Sequence, residues 1–306
     1  MRPADELFTV HRDVTFTGRP TLLHAFDGFV DAGTGVRIAS SHLLETLPHE
    51  LLATFDTDEL LDYRARRPRM SFVRDHFASV DMPTLTLHQM TDASGESFLL
   101  LAGPEPDYQW ERFLAAVDLI VERYDVGLAV GMSALPWSIP PTRPLGVTVH
   151  GSDPSRLTGF APVVGEIEVP GHVGAMLEFH LGQQGLASMG VTAQVPHYLV
   201  QFEYPRAATT LLRGVAQVTG LDLPVDGLEV AAVQADHAVA QQLVGNDEFA
   251  TVVASLEQQY DQLAALAEQA PAASSAPERI PTGDDIAAQV EQFLASLDDG
   301  ETKAGD

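Results

Sequence analysis

Residues 21–26 (Thr-Leu-Leu-His-Ala-Phe) read as a short apolar strand, and a loop joins them to a helical pattern through Val36, Ile38, Leu43 and Leu47. A second strand pattern, 51–55, begins just past the turn Pro48-His49-Glu50. Strand, helix and strand this closely spaced form a βαβ crossover, which sets its two strands parallel in one sheet. That unit makes α/β the expected class. Residues 84–88 and 97–101 flank the turn-rich Asp92-Ala93-Ser94-Gly95, a hairpin pattern, so the sheet is expected to be mixed. A helix is expected over 107–124, with Trp110, Phe113, Leu114, Val117 and Ile120 on one face, leading into the apolar run 126–130. Further strands are read at 145–150 and 191–199. Helices are read at 172–186 and 205–218, the latter with Pro205 at its first position and Gly220 past its end.

Charge divides the chain. The whole carries 43 acidic against 17 basic residues, a net −26, yet 221–306 alone holds 17 acids against Arg279 and Lys303. The expected organisation is an α/β core over 1–220, an acidic helical appendage over 221–270 and a Pro/Ala/Ser linker over 271–283. A docking helix over 284–297 and a frayed tail over 298–306 complete it. The docking helix has an apolar stripe of Ile286, Val290, Phe293 and Leu297, which needs a groove to be stable in water. Homo-oligomerisation, as a trimer, is the expectation drawn from it. The negative charge repels nucleic acid and anionic membranes. No run reaches the roughly 18 apolar residues of a membrane span and no apolar segment follows the N-terminus, so a cytoplasmic protein is expected. Without cysteine there is no disulfide and no thiolate chemistry.

The most informative loop is Asp27-Gly28-Phe29-Val30-Asp31-Ala32-Gly33, between the first strand and its helix, where α/β folds place ligands. Its glycine spacing opens like a P-loop, but Thr34-Gly35 stands where Lys and Ser/Thr are needed. Gly131-Met132-Ser133 begins like a nucleophile elbow, and Leu135 then replaces the second glycine. No His-Glu-x-x-His motif occurs, and neither a metal nor a cofactor is expected. In the Pro-rich segment 136–144, Arg143 is held between Thr142 and Pro144, placed to bind an anion or to pair with Asp27 or Asp31. His150 and His197 lie near strand ends and are read as converging on the same edge. The candidate ligand or partner pocket is therefore Asp27, Gly28, Asp31, Gly33, Arg143, His150 and His197, with no catalytic residue assigned. Each has a plainer structural role as well: a helix cap, a tight turn, a loop-pinning salt bridge, a satisfied histidine.

Taken together, the segment Phe26 to Gly33, Pro141-Thr142-Arg143-Pro144, Pro170-Gly171 and Val195-Pro196-His197-Tyr198 followed by Tyr204-Pro205 resemble the proteasome assembly chaperone 2 family. The resemblance covers most of 15–220 and continues into the C-terminal helices. The acidic extension and the single lysine, Lys303, resemble the actinobacterial branch. The resemblance implies a three-layer α/β/α fold with a mixed, mostly parallel sheet, similar to nucleoside phosphorylases and related hydrolases. It also implies self-association, and a protein-binding, assembly-chaperone-like role with a proteasome-related partner. It brings no catalytic residue set. The ending Lys303-Ala304-Gly305-Asp306 lacks a hydrophobic-Tyr-X signature, so insertion into proteasome pockets by this terminus is not expected. The alternative is a small-molecule enzyme of phosphorylase or hydrolase type using the candidate pocket.

Overall fold

The computed structural model of the chain describes residues 2–160, 166, 168–244 and 247–269. Among the described residues, 2–160, 169–244 and 247–262 fall in one compact unit, and 166, 168 and 263–269 in a second. The strands are β1 (Phe8–Val10), β2 (Thr21–Asp27), β3 (His49–Phe55), β4 (Arg69–Val73), β5 (His76–Asp81), β6 (Thr86–Thr91), β7 (Ser97–Pro104), β8 (Leu128–Trp137), β9 (Val147–Gly151) and β10 (Ala187–Pro196). The helices are α1 (Gly35–Thr46), α2 (Thr57–Leu60), α3 (Trp110–Tyr124), α4 (Val173–Gln183), α5 (Pro205–Thr219), α6 (Asp226–Val244) and α7 (Asp247–Gln269).

Eight strands form one sheet in the order β1-β3-β6-β7-β2-β8-β10-β9. Its centre, β7-β2-β8-β10, is parallel, while β6, β1 and β9 pair antiparallel with their neighbours. The crossover through α1 does join strands of one sense in one sheet, but β6 and β7 are inserted between them. β2 is apolar almost throughout because both of its faces are covered, as a central parallel strand requires. Leu23 and Ala25 enter a core with Val36, Ala39 and Leu43 of α1 and Leu211, Leu212 and Val215 of α5. Leu22 and Phe26 enter the opposite core with Phe113 and Val117 of α3 and Leu177 of α4. The protein is thus three layers deep, and each fully buried leucine of this kind contributes about 2 kcal/mol. Leu228 and Ala232 of α6 are buried as well.

Several boundaries differ from the sequence reading. β10 begins at Ala187 rather than 191, and β9 spans Val147–Gly151. Strands β4 and β5 had no counterpart in that reading: they form a separate two-stranded antiparallel sheet whose residues are exposed throughout. No described helix is long and apolar enough to cross a membrane. The expected linker 271–283, docking helix 284–297 and tail 298–306 lie outside the described residues.

Candidate functional site

The loops that follow β2, β7, β8 and β10 all leave the carboxyl edge of the parallel strands. The β2 loop is held by its backbone: Ala134 N donates to Val30 O at 2.7 Å, Gly33 N to Val200 O at 3.0 Å, and Tyr204 N to Gly33 O at 2.8 Å. These bonds tie the ends of β8 and β10 to the same loop. Gly33 adopts φ 65°, a left-handed conformation in which a side chain is strained, and a Cβ there would stand 3.0 Å from Tyr204 Cβ. At Gly28 the constraint is space, because a Cβ would lie 2.6 Å from Glu105 Oε2.

Glu105 is the residue that sequence reasoning missed. It is buried just past β7, its Oε2 accepting from Phe29 N at 3.1 Å and its Oε1 from Val173 N, at the start of α4, at 2.9 Å. A carboxylate at that helix start is favoured by the helix dipole. The sequence signal was an acid enclosed by prolines at a strand end, Pro104-Glu105-Pro106.

Asp27 and Asp31 are both partly buried in this loop. Burial raises the pKa of Asp27. Burial, reinforced by the charge of Asp27, raises that of Asp31 to about 7, even though Asp31 Oδ1 accepts from Val36 N at 2.6 Å. Neither carboxyl has an ion-pair partner among the described residues: Arg37 pairs with Glu203 at 2.8 Å and Arg66 with Asp107 at 2.9 Å.

Arg143 lies in the loop after β8 but does not pair with Asp27 or Asp31. It makes a two-pronged contact with Asp261 of α7, Nε to Oδ1 at 2.8 Å and Nη2 to Oδ2 at 2.7 Å, and a longer one with Glu257 at 3.3 Å. Both carboxylates come from α7, in the part of that helix that belongs to the same compact unit as the sheet. Arg206 likewise meets Asp236 and Glu229 of α6, and Arg213 meets Glu229 at 2.6 Å. Arg143, Arg206, Arg213, Tyr204 and Asp236 line a cleft of ≈ 560 Å³. Arg143→Ala is expected to leave the melting temperature nearly unchanged, since the pair is largely exposed. It should raise amide hydrogen exchange in 251–262 without affecting α5, and equal exchange in both proteins would show that the pair does not fasten α7.

His150 and His197 do not converge. His150 stands opposite Gly190 near the start of β10, whereas His197 follows the end of that strand, seven residues on and roughly 20 Å away. The cause is the antiparallel sense of β9, which carries its last residues back toward the amino edge. His150 instead joins a row across the sheet, His24, Gly131, Gly190, His150, in direct register on four strands. His150 Nδ1 bonds Glu178 Oε1 of α4 at 2.9 Å, which raises its pKa. His24 is only 2% exposed, and its Nε2 has no partner among the described residues. Burial, partly offset by Glu178, lowers its pKa to about 4. The two glycines leave room for these rings: a Cβ at Gly131 would overlap His24, and one at Gly190 would overlap His150. Ser133 sits within β8, its hydroxyl 2.6 Å from that of Thr192, and so is not on a strand-to-helix turn. Among the described residues no three His, Cys, Asp or Glu side chains are placed to hold a metal ion.

None of the curated proteins matches the chain. Among solved structures, it is similar to the Mycobacterium tuberculosis protein of unknown function Rv2714, with 42% identity and a TM-score of 0.82 over 86% of this chain and 91% of that one. It is also similar to a Corynebacterium glutamicum protein of unknown function, with 37% identity and a TM-score of 0.80 over 84% and 97% of the two chains. The Mycobacterium tuberculosis proteasome-assembly chaperone homologue Rv2125 shares the fold, at 23% identity and a TM-score of 0.69 over 76% and 99%. The model of the PAC2 family matches residues 25–243, from the end of β2 through the remaining strands of the sheet and the carboxyl-edge loops to nearly the end of α6, and the chain therefore belongs to the PAC2 family.

Proposed function

We propose that this protein is a cytoplasmic, self-associating, assembly-chaperone-like binder of other proteins, with a proteasome-related client. The family supports the general role, and the fold shared with a proteasome-assembly chaperone homologue points to the client. The observation that carries the reading is the β4–β5 hairpin. Phe72 and Phe77, 59% and 65% exposed, pair their rings at 5.1 Å, and Met70, Val73, Val80 and Met82 are exposed around them. A two-stranded sheet alone is barely stable in water, and a contiguous apolar patch of this sort marks a surface that another protein covers. Arg69 and Arg74 of the hairpin are matched by Asp75 and Asp81, so it carries no net charge in a chain whose net charge is −26. An exposed apolar hairpin of zero net charge avoids the self-repulsion that the acidic remainder of the chain would impose, which suits contact with a second copy.

Light scattering at micromolar concentration is expected to give a multiple of 32.9 kDa, with a trimer the expected state. The double variant Phe72→Asp/Phe77→Asp should give the single-chain mass with an unchanged circular dichroism spectrum. A wild-type monomer would end the self-association reading. Co-expression with proteasome α subunits from the same organism tests the client: co-purification supports it, and its failure with the oligomer intact removes the proteasome from the proposal.

A further inference from the structure

Three exposed aromatic side chains lie on segments at the carboxyl edge of the central parallel strands. Phe29, Phe202 and Trp137 are 63%, 59% and 41% exposed there. The backbone places them around one loop. Phe29 is held by the bond from its N–H to buried Glu105. Phe202 precedes the Tyr204 that bonds Gly33, and Trp137 ends the strand whose Ala134 bonds Val30. Scattered exposed aromatics need no explanation, but three on segments hydrogen-bonded to one loop form a rim of the kind that anchors protein partners. The same loop carries Asp27 and Asp31, both partly buried, and the arginines whose charge acts on them are already paired with Glu203 and Asp107.

We infer that this rim docks a polypeptide segment of the client that presents an arginine or lysine flanked by apolar side chains. The cationic head meets Asp27 and Asp31, its aliphatic stem and the flanking residues lie on Phe29, Phe202 and Trp137, and the aromatic faces favour the cation further. The field of a chain carrying −26 steers a basic segment toward it and away from acidic surfaces. The half-buried carboxyls bear their charge at a cost in the free protein, and a cation arriving from the partner relieves it. The inference rests on the protein-binding reading above and names the chemistry of the partner.

The test uses the full chain and a fluorescein-labelled hexapeptide, Gly-Leu-Arg-Leu-Phe-Gly, with two controls, one carrying Glu for Arg and one carrying Ser for Leu and Phe. Fluorescence anisotropy should show saturable binding of the first peptide, weakened at least tenfold by Asp31→Asn and by Phe29→Ser/Phe202→Ser. Both controls should bind at least tenfold more weakly. Phe29 and Phe202 are exposed and Asp31 is partly buried, and circular dichroism checks that the variants fold. Absence of saturable binding below millimolar peptide, equal binding of the Glu control, or binding that both variants leave unchanged would overturn the inference. Dissociation of the wild-type oligomer by Phe29→Ser/Phe202→Ser would also overturn it, since a second copy would then occupy the rim. Retained co-purification of α subunits by that variant would remove this inference alone and leave the chaperone reading intact.

Discussion

Replacing His24 with leucine is expected to make the protein resist acid. The ring is fully enclosed between β2 and α4, beside Phe26 and over Gly131, and its pKa lies near 4 against 6.5 for a free histidine. A depressed histidine means that the unfolded chain takes up a proton at a pH where the native protein refuses it. Stability is therefore whole above about pH 6.5 and falls as the pH drops toward 4. The loss for this one group is ~3 kcal/mol by pH 4, a sizeable part of what a domain has. His88, half-buried and also held to about 4, acts with the same sign. His150 opposes them, because its pKa is raised by Glu178 and its contribution is lost as the pH rises. Urea denaturation of wild type and His24→Leu from pH 7.5 to 4 isolates the His24 contribution, since all other groups cancel in the difference. The advantage of the variant should grow by about 3 kcal/mol across that range. A constant difference would mean that water reaches the ring and that the native protein protonates it freely.

The row that makes His24 interesting was invisible in the sequence, and the reason is physical. Periodicity tells which residues of one strand share a face, but not which residues of other strands stand opposite them. His24, Gly131, Gly190 and His150 are far apart in the chain and meet only through the register of four strands. The same limit applied to Arg143, whose partners Glu257 and Asp261 lie more than a hundred residues on and belong to a helix whose placement no local pattern could give. What could be read were the elements with strong local signals. β2, α1 and β3 show unbroken apolar or amphipathic patterning, the turn at Asp92 to Gly95 separates β6 from β7, and Pro205 and Gly220 bracket α5. The β4–β5 hairpin escaped because its apolar residues face solvent among arginines, and a strand that packs on no core leaves little alternation to detect. The loop from Asp27 to Gly33 was legible as a site because glycines and acids cluster at a strand end, whereas the buried carboxylate that organises it, Glu105, comes from another strand.

Asp31→Asn is expected to stabilise the protein and to disable the site at the same time. In the native loop the carboxyl titrates near 7, against 3.8 for a free aspartate, chiefly because it is buried and then because Asp27 is charged beside it. With the folded pKa raised, the native protein holds a proton that the unfolded chain has released, so stability falls as the pH climbs from about 4 to 7 and stays low above that. The amide has no charge to desolvate and keeps an oxygen for the bond from Val36 N, which helps to fix the start of α1. The variant should therefore match wild type near pH 4 and exceed it by about 2 kcal/mol at pH 8, less than the full shift implies because the site is partly solvated. Denaturant midpoints at the two pH values check this. A variant less stable than wild type at pH 8 would show that the charge is needed to hold α1 in place, and the residue would then be a helix cap. A gain in stability joined to loss of peptide binding is the pattern of a side chain kept at the expense of the fold. The pairing is diagnostic because removing a cap weakens folding, whereas removing a recruiting charge weakens only what it recruits.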